Sequence, residues 1–227
     1  MSRPSVISGR LGGLTVLAVI VAVAGLVLIV VAVSAQKSAP QPPRSAGSIS
    51  SDGPGASGTP SVVPAGETPL KASRPVSISI PSIGVRSDVL PIGLAKDGTL
   101  AVPQPGPDLN KAAWFKNSPT PGQPGPSIIE GHVDSQSGPS VFFDLGKMRP
   151  GNKISVTRAD GVVAEFTVNA VRDYPKSTFP TNVVYGAKDL GKPQLRLITC
   201  SDFDPSIRHH TGNEVVFAHL TATHPRR

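Results

Sequence analysis

The pattern of apolar and polar residues divides the chain into three unlike stretches. In the first, residues 11–33 carry no charge, and 19 of these 23 residues are Ala, Val, Leu or Ile. As a helix that rises about 1.5 Å per residue they reach roughly 34 Å, enough to cross a hydrocarbon core of about 30 Å. The pattern therefore predicts a transmembrane anchor at 11–33, preceded by a short N-terminus at 1–10.

The charges before this stretch predict its orientation. Arg3, Arg10 and the N-terminal amine precede it, so the positive-inside tendency places the N-terminus in the cytoplasm and the rest of the chain outside the cell. A cleaved secretory signal is the alternative, because Val33-Ser34-Ala35 resembles a cleavage site, although apolar regions of signals usually span only about 7–15 residues. We expect a single-pass protein of the plasma membrane with an extracellular C-terminal domain.

The second stretch, residues 34–74, is rich in small and helix-breaking residues. Seven Pro, five Gly and nine Ser make up half of its 41 residues, and it has no aromatic residue. Such a segment cannot bury enough apolar surface to offset the entropy lost on ordering. The composition predicts a disordered linker between the anchor and a folded domain.

The third stretch, residues 75–222, alternates in the manner of β-strands and is followed by a short tail at 223–227. Alternating or continuous apolar runs predict strands at 76–80, 127–129, 154–156, 166–170, 195–199 and 215–220. Clusters of Pro and Gly between the runs argue against long helices, and the one short helix is expected near 141–145. Many short strands at this spacing predict an all-β domain, a closed or nearly closed antiparallel barrel.

The charge distribution narrows the classes of partner. The net charge is +7, but residues 1–74 hold six Lys or Arg against two acids, and residues 75–227 hold sixteen against thirteen. The nearly neutral domain lacks the concentrated basic face that nucleic acid requires. His209, His210, His219 and His224 show no zinc-type spacing, so neither a metal nor another cofactor is expected.

Three residues of the domain suggest a nucleophilic site. Cys200, the only cysteine, closes the predicted strand 195–199 and has no partner for an internal disulfide. Arg208 follows eight residues later, and His132 comes after the predicted strand 127–129. A thiol, an imidazole and a guanidinium supply the nucleophile, the proton carrier and the cation that acyl transfer requires.

Each of these residues also has an ordinary structural interpretation. A lone cysteine is commonly a buried core residue. His132 could be a solvated loop residue or one that hydrogen-bonds Asp134, and Arg208 could be a surface residue paired with Asp202 or Asp204.

Taken together, the three residues and their order resemble the sortases, cysteine transpeptidases that attach proteins to the Gram-positive cell surface. Segments 131–135, 141–145 and 195–200 look most like class F sortases of actinobacteria, with class E the nearer alternative. Three positions depart from relatives, which often have two glycines in place of Ser201 and Asp202, and an aromatic residue in place of His210.

This resemblance implies an eight-stranded sortase barrel with His132, Cys200 and Arg208 at one end. The implied substrate is an LPXTG-type sorting signal, cleaved between Thr and Gly through a thioester, and the implied acceptor is a peptidoglycan-precursor amine. We expect Thr199 and Ser201 to bind substrate and Asp134 to have a secondary role. A noncatalytic domain that binds sorting signals or wall polymer, and a cysteine peptidase, are the rival interpretations.

Overall fold

The computed structural model describes residues 38–43, 68–186 and 190–226. The predicted anchor at 11–33 lies outside these residues. Within the part of the chain that is described, no helix is both long and apolar enough to span a lipid bilayer.

Eight strands close into a barrel, and two short strands form a separate ribbon. The barrel strands are β1 (Pro75–Ile80), β2 (Val85–Ile92), β3 (Ala112–Phe115), β4 (Gly125–Glu130), β7 (Lys153–Arg158), β8 (Val162–Pro175), β9 (Pro193–Asp204) and β10 (His209–Pro225). The ribbon consists of β5 (Asp134–Ser135) and β6 (Gly138–Pro139). Around the barrel the order is β1-β2-β3-β4-β9-β10-β8-β7. The β2–β3 and β4–β9 pairs are parallel.

Alternation along the strands separates a core inside the barrel from a second cluster outside it. Leu195 and Leu197 of β9 belong to the inner core, whereas Ile198 packs in the outer cluster. Successive side chains of a strand point to opposite faces, so β9 contributes to both. The outer cluster includes Val184, which lies on the short helix α1 (Thr181–Val184) between β8 and β9. This outer cluster lies on the same face of β9 as Cys200.

The predicted fold class is confirmed, since the domain is an eight-stranded all-β barrel. The expectation of an antiparallel barrel is wrong in part, because β2–β3 and β4–β9 pair in parallel, which alternation within single strands does not indicate. Several observed strands extend beyond the apolar runs that predicted them: the run 195–199 lies within β9, and the run 215–220 lies within β10. Cys200 is consequently inside a strand, four residues before its end. The helix expected near 141–145 is instead a turn followed by a 3₁₀ helix at Leu145–Lys147. No pattern predicted β2, β3 or α1.

A buried arginine fastens the chain that precedes β1 to the barrel. Arg158 is 2% exposed, donates to the carbonyls of Pro121 and Lys71, and pairs with Asp160 at 2.7 Å. The backbone N–H of Leu70 donates to the Gly122 carbonyl at 2.8 Å. The last residues of the predicted linker are therefore bound to the barrel wall.

Candidate active site

The parallel pairing of β4 with β9 brings His132 and Cys200 close together. Glu130 is paired with Ile198, and the Gly131 N–H donates to the Ile198 carbonyl at 3.1 Å. Continuing this register by two residues places His132 opposite Cys200, on chains roughly 4.8 Å apart. The imidazole and the thiol thus come from adjacent segments, as the sequence predicts, while their catalytic roles stay predictions.

Thr199 and Ser201 flank Cys200 and point to the other face of β9. Both are buried. The Thr199 hydroxyl donates to the Gly131 carbonyl at 2.8 Å, and the Ser201 hydroxyl donates to the Asp173 carboxyl. Their side chains therefore hold neighbouring protein groups in place, and Thr199 fixes the residue just before His132. The substrate contacts predicted for these two residues remain predictions.

The cation in contact with the Cys200 sulfur is Lys176, which the sequence analysis did not single out. Its Nζ lies 3.6 Å from Sγ. Burial raises the pKa of the Cys200 thiol, and Lys176 opposes this effect by favouring the thiolate. Glu130 and Asp134 act in the opposite direction to Lys176 and raise the pKa further. The thiol is thus partly buried between one cation and two carboxyl groups.

The ring of His132 is oriented by a backbone carbonyl. Its Nε2 lies 2.9 Å from the carbonyl oxygen of Pro103. A carbonyl oxygen only accepts, so Nε2 must carry a proton and donate it. In the neutral ring, Nδ1 then has the free lone pair and is the atom available to exchange a proton with substrate.

Asp134 pairs with a different histidine. Its Oδ1 lies 3.1 Å from Nε2 of His210, and the His210 ring also makes an edge contact with Phe203, with centroids 5.2 Å apart. Asp134 therefore connects the β5–β6 ribbon to the β9–β10 hairpin. This arrangement agrees with a secondary rather than a direct part for Asp134, which stays a prediction.

Arg208 lies in the exposed turn of the β9–β10 hairpin, immediately before β10. Cys200 is paired with Asn213, and Asp204 with His209 at the last pair before the turn. Arg208 is therefore five residues from the position opposite Cys200, roughly 16 Å along an extended strand. The register thus runs the backbones of His132 and Cys200 side by side, and the structure places Arg208 farther along the hairpin that carries Cys200.

Glu130 is a buried acid on the same face as Cys200, and sequence reasoning missed it. Its side chain is 5% exposed, and its Oε1 is buried without a hydrogen-bond partner. Burial raises the pKa of Glu130 from 4.5 to about 8. The available signal was a carboxylate closing the apolar run Ile128-Ile129 two residues before His132, where a further apolar residue is expected.

A second acidic group lies on the inner face of the same barrel end. Burial raises the pKa of Asp173 to about 6 and that of Glu214 to about 8. Gly212 leaves room for the contact between Ser201 and Asp173, since a Cβ there would clash with the Ser201 hydroxyl and lie 3.3 Å from an Asp173 oxygen. Among the described residues, no set of three or more His, Cys, Asp or Glu side chains is arranged to hold a metal ion.

The sequence of the barrel matches a known protein family. The sortase domain matches residues 78–221, more than half of the 227 residues. The chain belongs to the sortase family, whose members are cysteine transpeptidases. No curated protein sequence matched the chain.

Several solved structures that are similar to this chain are also sortases. Sortase A from Corynebacterium diphtheriae aligns with a TM-score of 0.50 at 22% identity, over 69% of this chain and 66% of that chain. Sortase A from Listeria monocytogenes aligns with a TM-score of 0.49 at 19% identity, over 69% of this chain and 92% of that chain. A point mutant of sortase E from Streptomyces avermitilis aligns with a TM-score of 0.48 at 22% identity, over 69% of this chain and 93% of that chain.

Proposed function

We propose that the chain is a membrane-anchored sortase, of class F with class E as the alternative. It would cleave an LPXTG-type sorting signal between Thr and Gly and transfer the protein to a peptidoglycan-precursor amine. The observation that supports this best is the β4–β9 pairing, whose register, continued two residues beyond the last pair Glu130–Ile198, runs the backbone of His132 alongside that of Cys200. A protonated Nε2 held by Pro103 leaves Nδ1 to exchange protons.

In the first step the Cys200 thiolate attacks the carbonyl carbon of the Thr residue. The carbonyl electron pair moves to oxygen and forms a tetrahedral oxyanion. When the C–N bond breaks, the amine of Gly takes a proton from the His132 imidazolium and leaves, and a thioester remains on Cys200.

In the second step an acceptor amine attacks the thioester. Neutral His132 takes a proton from the amine, the C–S bond breaks, and the thiolate of Cys200 is regenerated. The new amide bond joins the protein to the acceptor. Resolution by an amine rather than by water defines a transpeptidase.

Arg208 is proposed to hydrogen-bond the oxyanion or to position the sorting signal. A single oxyanion donor is worth about 3–4 kcal/mol in other acyl-transfer enzymes. The exposed position of Arg208 in the hairpin turn favours the positioning role, because Phe203 and Ile207 of the same hairpin also expose apolar side chains that a peptide could cover.

The test uses the whole chain in nonionic detergent, a peptide that contains LPXTG, and an added amine. Mass spectrometry should detect the peptide joined to the amine and a thioester on Cys200, and a Cys200→Ala variant should form neither. Peptide binding without either product would favour the noncatalytic binding domain. Hydrolysis that added amine does not divert would favour the cysteine peptidase.

The proposed anchoring has its own test. Residues 11–33 are proposed to cross the plasma membrane, with residues 1–10 in the cytoplasm and the barrel outside. Protein expressed in a Gram-positive host should stay with membranes through alkaline carbonate extraction, and protease added to intact protoplasts should digest the barrel. Release into the medium would instead indicate the cleaved signal.

A further inference from the structure

The contact between Lys176 and Cys200 has no part in the two-step scheme above. Lys176 begins the 3₁₀ helix Lys176–Thr178, directly after the end of β8. Pro175 is paired with Gly212, and Gly212 with Ser201, so β10 lies between the end of β8, which Lys176 follows, and the part of β9 that carries Cys200. The half-buried lysine side chain crosses β10, and its Nζ lies 3.6 Å from the sulfur.

We propose, as an extension of the acyl-transfer function above, that Lys176 is a catalytic residue that stabilises the thiolate form of Cys200 and so increases its population. An ammonium group has three N–H donors and no acceptor, so at this distance it directs a positive charge at the nucleophile. A thiolate becomes more populated next to a lysine.

This assignment gives the imidazole a different resting state. If the cation paired with the thiolate is Lys176, then His132 need not be protonated for the thiolate to form. The tautomer held by Pro103 has a free Nδ1. Lys176 stays with the sulfur, while Nδ1 of His132 takes up a proton from solvent, gives it to the leaving amine, and later removes one from the incoming amine.

Other charged groups face the same sulfur. Glu130 from β4 and Asp134 from β5 disfavour the thiolate, and His132 follows β4. Asn213, the partner of Cys200 on β10, carries no charge. Because burial raises the pKa of Glu130 to about 8, its carboxyl is mostly protonated between about pH 6 and 7, and the opposing charge in that interval comes from Asp134.

The test is the rate at which iodoacetamide alkylates Cys200, measured against pH. In this reaction the thiolate forms an S–C bond and iodide leaves, so the rate follows the thiolate fraction. The chain has one cysteine, so the full chain in detergent gives a signal from this thiol alone. No substrate is required, and a failure of the transpeptidase assay therefore leaves this result interpretable.

Lys176→Met should lower the alkylation rate at pH 7 by about three- to tenfold, with the profile moved to higher pH and the rates converging at alkaline pH. Lys176→Gln is a second neutral variant, to be used if Lys176→Met does not fold. Lys176→Arg keeps the charge and should retain most of the rate. Lys116→Met, which removes an exposed lysine, should match the wild type.

Two outcomes would overturn the proposal. One is an unchanged profile in a neutral Lys176 variant whose tryptophan fluorescence shows a folded barrel. The other is a larger shift in Arg208→Gln than in either neutral Lys176 variant, since this would make Arg208 the cation that stabilises the thiolate.

Discussion

Replacement of Glu130 by glutamine should stabilise the barrel at neutral pH. The side chain is 5% exposed and its Oε1 has no hydrogen-bond partner. Burial raises its pKa from 4.5 to about 8, so the folded state favours the protonated carboxylic acid. Glutamine has nearly the same shape and carries no charge, and Glu130→Gln therefore removes the penalty without opening a cavity.

The magnitude follows from the linkage between proton binding and folding. The folded pKa lies above the unfolded one, so the native state binds more protons than the unfolded state between about pH 4.5 and 8. The free energy of unfolding of the wild type falls over this interval by about 1.4 kcal/mol per pH unit from this group. By pH 7 the loss reaches about 3 kcal/mol, and Glu130→Gln should recover most of it. Near pH 4 the difference should vanish.

The measurement is urea unfolding followed by tryptophan fluorescence at several pH values. Trp114, the only tryptophan, is 8% exposed on β3, next to the strand that carries Glu130. Glu165→Gln is the control, because it removes only a half-buried carboxylate 3.3 Å from Lys153, an interaction worth at most about 1 kcal/mol. Glu214 contributes to the pH dependence of stability in every variant, so only the difference between Glu130→Gln and the wild type reports on Glu130.

One result would refute the reasoning. If Glu130→Gln had the same pH dependence of stability as the wild type, Glu130 would be ionised in the folded protein. Its carboxylate would then have a partner, such as an ordered water or a cation, that offsets the burial.

Three further substitutions test the groups that support the site. Gly131→Ala should impair activity and lower the melting temperature, because a Cβ there would lie 2.8 Å from Phe142; near-wild-type activity would contradict the close packing. Thr199→Val removes the hydrogen bond to the Gly131 carbonyl and should cost about 1–2 kcal/mol in urea unfolding, and an unchanged midpoint would contradict this. Arg158→Met should lower stability by about 3 kcal/mol, because it leaves the Lys71 and Pro121 carbonyls without their donor; unchanged stability would indicate that water replaces the guanidinium.

A comparison of two activities tests the ranking of the hairpin residues. Asp134→Asn breaks the charged form of the pair with His210 and should reduce transpeptidation far less than Arg208→Gln. The measurement is kcat/KM for the sorting peptide in both variants. Equal losses would give Asp134 a direct part in the reaction.

The strands that could be predicted are those whose apolar residues alternate without interruption. Ile154 and Val156 of β7 are fully buried, as the pattern indicates. In β2, Arg86-Ser87-Asp88 interrupts the alternation and Pro91 removes a backbone donor, so no pattern marks this strand. Its pairing with β1 and β3 outweighs its weak local preference.

The residues of the site also differ in how far the sequence alone could predict them. His132 and Cys200 stand in recognisable sequence contexts, and the parallel register of two strands brings them together. Lys176 is 24 residues from Cys200 along the chain, and only the pairing of β8, β10 and β9 brings the two close. Contacts of that kind depend on how the strands close into a barrel, which alternation in a single strand does not encode.

The contacts of Arg158 also determine which part of the domain first bears a pulling force applied to the chain before β1. A pull on the chain ahead of Thr68 reaches the Leu70–Gly122 hydrogen bond and the Arg158–Lys71 contact before it reaches the first barrel strand. These bonds meet the barrel at the end of β7 and in the loop before β4, at the opposite end of β4 from His132, so a pulling force is first borne there and not beside Cys200. Force applied to the chain before β1 must therefore break these hydrogen bonds before it can displace the residues around Cys200.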